Sequence, residues 1–180
     1  DSYSDRYSIE GVEEDLGIAL NSLAKIGTGH LAEIIVGTKN LILKDVRLRV
    51  ITELIPYIRE SRSPDVWKEA MDTIASLHDR YSSDDDEVYR LLADLAPYVP
   101  SEASKYIFNV IHIITNAQKR ADTLILFAPR VSLYQLLPAL TAAATINDQY
   151  KGDELSKAVL REIASHVFVG QPLDACATAF

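Results

Sequence analysis

Leu54-Ile55-Pro56-Tyr57-Ile58, Leu95-Ala96-Pro97-Tyr98-Val99 and Phe127-Ala128-Pro129-Arg130-Val131 are three versions of one phrase, and they decide how the chain is read. A degenerate fourth copy is Ile163-Ala164-Ser165-His166-Val167, and a fainter early one is Leu23-Ala24-Lys25-Ile26. The third positions 56, 97, 129 and 165 are 41, 32 and 36 residues apart. A second phrase alternates with the first. Leu77-His78-Asp79-Arg80-Tyr81 matches Ile146-Asn147-Asp148-Gln149-Tyr150, and Ile114 to Gln118 and Leu43 to Arg47 fit more loosely. Two phrases recurring in one order with one approximate period are the signature of a repeat array.

Each unit reads as two helices. Before the proline phrase, Val46, Val50, Ile51, Leu54 and Ile58 recur at steps of three and four, as do Val88, Leu91, Leu92 and Leu95. That spacing places each set on one helical stripe. A second stripe lies between the phrases: Val66, Ala70, Ile74 and Leu77, then Tyr106, Val110, Ile113 and Ile114. The third such segment, Leu136 to Ile146, is rich in alanine (Ala139, Ala142, Ala143, Ala144), which permits close helix approach. Ser63-Pro64 reads as a capping hydroxyl followed by proline at the first helical position, and Ser101 as another cap. Asp153 and Glu154 suit the positive end of the last helix. A proline deep inside a helix costs about 3 kcal/mol. Pro56, Pro97 and Pro129 therefore belong near helix ends, as a shared corner on which units stack. The segment 33–44 fits either a β-hairpin around Gly37-Thr38-Lys39-Asn40 or a helix broken near Gly37; its slot in the repeat favours the helix. The expected fold is all-α: a right-handed α-solenoid of about four to five helical hairpins, with an N-terminal segment 1–15, repeats over 16–168 and a tail 169–180.

The alternation of Leu-Ala-Pro-Tyr-Val with Ile-Asn-Asp-Gln-Tyr resembles the degenerate HEAT- and tetratricopeptide-like repeats in the C-terminal sensor arrays of bacterial STAND (NACHT-like) ATPases. The resemblance covers roughly residues 16–168 and departs from the family pattern at the insertion 82–87 and in the worn end copies. It implies a sensing or docking function within a larger signalling protein. No G-x-x-x-x-G-K-[ST] phosphate loop occurs, so the chain itself carries no such ATPase module.

Composition narrows the functional classes. With 18 basic against 26 acidic residues and a net charge of −8, nucleic acid is not an expected partner. No run of apolar residues is long enough to span a bilayer. The single cysteine, Cys176, forms no internal disulfide and excludes thiolate-rich zinc sites, so a reducing, cytoplasmic setting is expected. Met71 is the only methionine, which reads as a chain that has been processed or cut from something longer. The histidines His30, His78, His112 and His166 lack metal-binding spacing; His112, between two isoleucines, reads as a core or boundary residue, and His78 as a polar position between units. Asp84-Asp85-Asp86-Glu87 lacks the ligand pattern of a calcium loop and reads as a solvated loop whose acids also favour the N-terminus of the next helix. No nucleophile motif appears, and no cofactor or metal is expected.

Directly after the repeat proline come Tyr57, Tyr98, Arg130 and His166. Stacked units place such positions in a column, and tyrosine and arginine are enriched at binding hot spots. These four are the expected protein-binding residues, with Trp67 and Tyr106 assigned to core packing. The leading expectation is a non-catalytic module that recognises a protein partner or another domain of its parent protein. An enzyme on a helical scaffold and an architectural oligomerisation element are the alternatives.

Overall fold

The computed structural model describes residues 2–78, 85–131, 133–146 and 152–167. These residues form an all-α structure with no strand among them. The helices are α1 (Ser2–Ile26), α2 (Leu31–Lys39), α3 (Lys44–Glu60), α4 (Pro64–Ala75), α5 (Asp85–Leu95), α6 (Ser104–Ile111), α7 (Ala117–Phe127), α8 (Leu136–Ala144) and α9 (Gly152–Val167). Short 3-10 turns occupy Thr28–His30, Ala96–Tyr98, Ala128–Arg130 and Leu133–Gln135. No helix among the described residues is long and apolar enough to cross a membrane.

The packing order is regular. α1 lies on α3, α3 on α5, α5 on α7 and α7 on α9, while α2 lies on α4, α4 on α6 and α6 on α8. Odd and even helices thus form two layers, with the core between them. The stripes foreseen on α3, α5 and α4 are the ones that bury, and they belong to one continuous apolar cluster. Trp67 is wholly buried, and Tyr106 is half-buried against the core with Lys105 over its ring.

Within the segment 33–44 the chain is helical through Gly37 to Lys39, with Asn40 as the C-cap, and α3 begins at Lys44. Leu31, Ile34, Ile35 and Thr38 face inward, a spacing that only a helix satisfies. An added Cβ at Gly37 would stand 3.2 Å from Leu20 Cδ2, so the leucine side chain would have to give by a few tenths of an ångström.

Several sequence readings need correction. Ser63 makes no side-chain cap, and α6 starts at Ser104 with Ala103 before it, so Ser101 is not its cap. His112 is exposed at the end of α6, because that helix turns its apolar stripe away from this position. Pro56 stays inside α3, which runs on to Glu60, whereas the backbone tightens into 3-10 turns at Pro97 and Pro129. Val99 precedes Pro100, and the proline ring bars a helical backbone for the residue before it. The first copy of the second phrase is also out of register. The buried residue after each even helix is Leu41, Leu77, Ile114 or Ile146, and each donates its N–H three residues back, to Thr38, Ile74, Ile111 and Ala143. Leu41, not Leu43, is the true equivalent.

Candidate functional site

The C-terminal ends of α3, α5, α7 and α9 carry the four residues singled out by the repeat. Tyr98 is half exposed, and the guanidinium of Arg59 from the neighbouring unit sits 4.8 Å from its ring centre. Such a stack is worth about 0.5–1 kcal/mol at an exposed site. Arg59 Nη2 also lies 3.9 Å from Asp94 Oδ1 of α5. Arg130 is exposed and donates from Nη2 to the carbonyl of Pro97 at 2.5 Å. The corners of α3, α5 and α7 are therefore stitched side by side, with Pro97-Tyr98 in the middle. Tyr57 is half-buried against the core, and His166 lies 3.0 Å from Glu162 Oε1 of its own helix. The structure joins Tyr98 and Arg130 into one rim; Tyr57 and His166 stand on the same helix ends without a polar contact to that pair.

At the opposite rim, where even helices end and odd helices begin, a polar seam appears that the repeat phrases did not reveal. Glu13 of α1, buried, accepts the N–H groups of Ile42 at 2.5 Å and Leu43 at 2.6 Å, just before α3. Asp85 of α5, also buried, accepts from Thr115 N–H at 3.2 Å, Thr115 Oγ1 at 2.7 Å and Asn116 N–H at 2.7 Å, just before α7. Each carboxylate satisfies helix-entry donors that have no intrahelical partner. Asp85, Asp86 and Glu87 do stand in the first turn of α5, but Asp85 is buried and not solvated.

Arginines complete the seam. Arg47 Nη1 donates to the carbonyl of Leu41 at 2.6 Å, and Nη2 reaches Ser76 O at 3.4 Å. Arg120 Nε donates to the carbonyl of Ile114 at 2.8 Å, and Nη1 to Thr145 O at 2.7 Å. Each arginine thus ties the end of the preceding even helix to the end of the following one. Burial pushes the Asp85 pKa up, but the Thr115 hydroxyl, the two backbone N–H groups and His78 outweigh it, so the net shift is downward. Burial lowers the Arg120 pKa, and the Asp85 charge opposes this. His78 Nε2 stands 3.5 Å from Asp85 Oδ1, between α4 and α5.

The carboxylates that reach the interior are thereby occupied as acceptors for backbone N–H groups. Among the described residues, no three His, Cys, Asp or Glu side chains converge as a metal site. Clefts lie at the N-terminal end. One of about 440 Å³ is bounded by Leu20 and Leu23 of α1 and by His30, Glu33 and Ile34 at the start of α2. A polar one of about 570 Å³ is bounded by α2 and the α3–α4 corner, including Glu60, Arg62 and Asp65. Cys176, the acids at 84 and the phrase at 147–150 lie outside the described residues. No family model, no curated protein and no solved structure matches this chain.

Proposed function

We propose that the chain is a non-catalytic protein-recognition module, an α-solenoid of stacked hairpins that presents its corner rim to a partner. Tyr57, Tyr98, Arg130 and His166 are the recognition residues in this reading. The parent would be a larger signalling protein, as the resemblance to STAND sensor arrays suggests, and its single cysteine suits a reducing compartment.

One observation carries the proposal. Same-layer packing runs from α1 to α9, and the α5 corner holds a half-exposed tyrosine whose ring is held from behind by Arg59. A pre-oriented aromatic loses little conformational freedom on binding, which is what a hot-spot anchor requires.

The test uses a photoreactive phenylalanine analogue in place of Tyr98 or His166, with Ile42 on the opposite rim as control. A partner captured from positions 98 and 166 but not 42 identifies the face. Tyr98→Ala is then expected to weaken binding of that partner by about tenfold or more, read by calorimetry. Equal capture from position 42, or unchanged affinity of Tyr98→Ala, rejects the rim. Arg130→Ala is a poorer probe, since losing the bond to the Pro97 carbonyl also loosens the stack.

A further inference from the structure

The polar seam is interrupted in the middle of the layered stack. In α1–α4, Glu13 holds the entry to α3, and Arg47 joins the end of α2 to the end of α4. Asn21 Nδ2 donates to Glu53 Oε2 at 2.6 Å between α1 and α3. Thr73 Oγ1 reaches Ile35 O at 3.4 Å between α4 and α2. In α5–α8, Asp85 holds the entry to α7, and Arg120 joins the ends of α6 and α8. Arg130 donates to the carbonyl of Pro97, and Gln135 Nε2 to that of Ser101 at 3.0 Å. α9 joins this second group, with Ser156 Oγ donating to Ala143 O at 3.2 Å. Each group of hairpins is thus bolted by directional bonds.

Between the two groups the contacts change in kind. Among the described residues, no hydrogen bond joins 2–78 to 85–167. What crosses is the apolar packing of α3 on α5 and of α4 on α6, together with a few longer polar approaches. His78 Nε2 stands 3.5 Å from Asp85 Oδ1, Lys44 Nζ 3.9 Å from Glu87 Oε2 and Arg59 Nη2 3.9 Å from Asp94 Oδ1. The guanidinium of Arg59 also covers the ring of Tyr98. Its Nε is buried without an acceptor, so its hold on α5 is electrostatic alone. Hydrogen bonds fix a register, whereas apolar contact is non-directional and lets packed surfaces tilt or slide without breaking a bond. We propose that the stack bends at this joint: α1–α4 and α5–α9 move as two rigid units, and Arg59 is the latch that holds the angle between them. Small shifts at such a joint add up across both units to a change in curvature. The proposal concerns the angle between the units and needs no partner, so it stands apart from recognition at the corner rim.

Double electron–electron resonance tests it, with spin labels on cysteines introduced in a Cys176→Ser background. Ser22→Cys on α1 and Ser165→Cys on α9 report across the joint, and Ser22→Cys with Asp65→Cys reports within the first unit. All three positions are exposed. Arg59→Ala is expected to widen the across-joint distance distribution about twofold and to leave the within-unit distribution unchanged. Salt at about 1 M is expected to widen the across-joint distribution of the unsubstituted latch as well, because partly exposed ion pairs are then screened beyond about 3 Å. Circular dichroism shows whether Arg59→Ala is folded, and the salt measurement decides the matter if it is not. An across-joint distribution unmoved by salt, one unmoved by Arg59→Ala in the folded variant, or equal widening within the first unit each overturns the proposal.

Discussion

Asp85 belongs to a run of four acids, yet it is buried and accepts three hydrogen bonds at the entry to α7. Asp85→Asn replaces one acceptor oxygen by a donor facing N–H groups, and is expected to cost about 1–3 kcal/mol in urea unfolding at pH 7. Its folded pKa is depressed, so the stabilisation is present above the ordinary carboxylate value near 3.8 and fades as pH falls through the lower folded value. The gap between wild type and Asp85→Asn should therefore shrink below about pH 4. A gap that holds constant to pH 2 means that the carboxylate charge does not matter there. Tyr98 and Arg130 were legible as a pair because the phrase marks both. The seam was not, because it repeats every second hairpin: Arg47 and Arg120 are 73 residues apart, and Glu13 and Asp85 72. A search tuned to one hairpin passes over it, and only the shared acid or arginine identity at that doubled spacing could have shown it.

Within elements, local pattern and tertiary contact divide the work differently from helix to helix. In α3 and α5 the three-and-four spacing named the buried stripe residue by residue, since burial there follows the helical period. In α2 the β-branched Ile34-Ile35-Val36 run resembled a strand, and only the burial of Leu31 and Thr38 one turn to either side fixes it as helix. The proline corners were legible as a recurring position but not as a shape, because the residues after each proline decide whether the helix tightens. α1 offers a paired test of the same distinction. A Cβ at Gly11 would meet nothing within 4 Å, so Gly11→Ala is expected to raise stability by about 0.5–1 kcal/mol through helix propensity and unfolded-state entropy. A Cβ at Gly17 would stand 2.9 Å from Val50 Cγ2, so Gly17→Val is expected to cost about 1–3 kcal/mol by prying α1 from α3. Thermal melts of the two variants should move in opposite directions.

For the molecule as a whole, the proposed solenoid predicts that stability is close to a sum of neighbour contacts. α4 has same-layer partners in α2 and α6, while α1 and α9 have one each. Amide exchange followed by mass spectrometry should show slowest exchange in α4, α5 and α6, rising toward both ends, because terminal units open at lower free energy. Uniform protection from α1 to α9 would mean that the chain opens as one piece. Trp67 offers a simpler gauge of the same property. It is the single tryptophan, wholly buried, with its indole N–H donating to Ser61 O at 2.9 Å in the α3–α4 corner. Its emission therefore watches one hinge of the stack, while far-ultraviolet ellipticity averages over every helix. The offset between the two melting curves measures directly how many hairpins come apart together, without any label being attached.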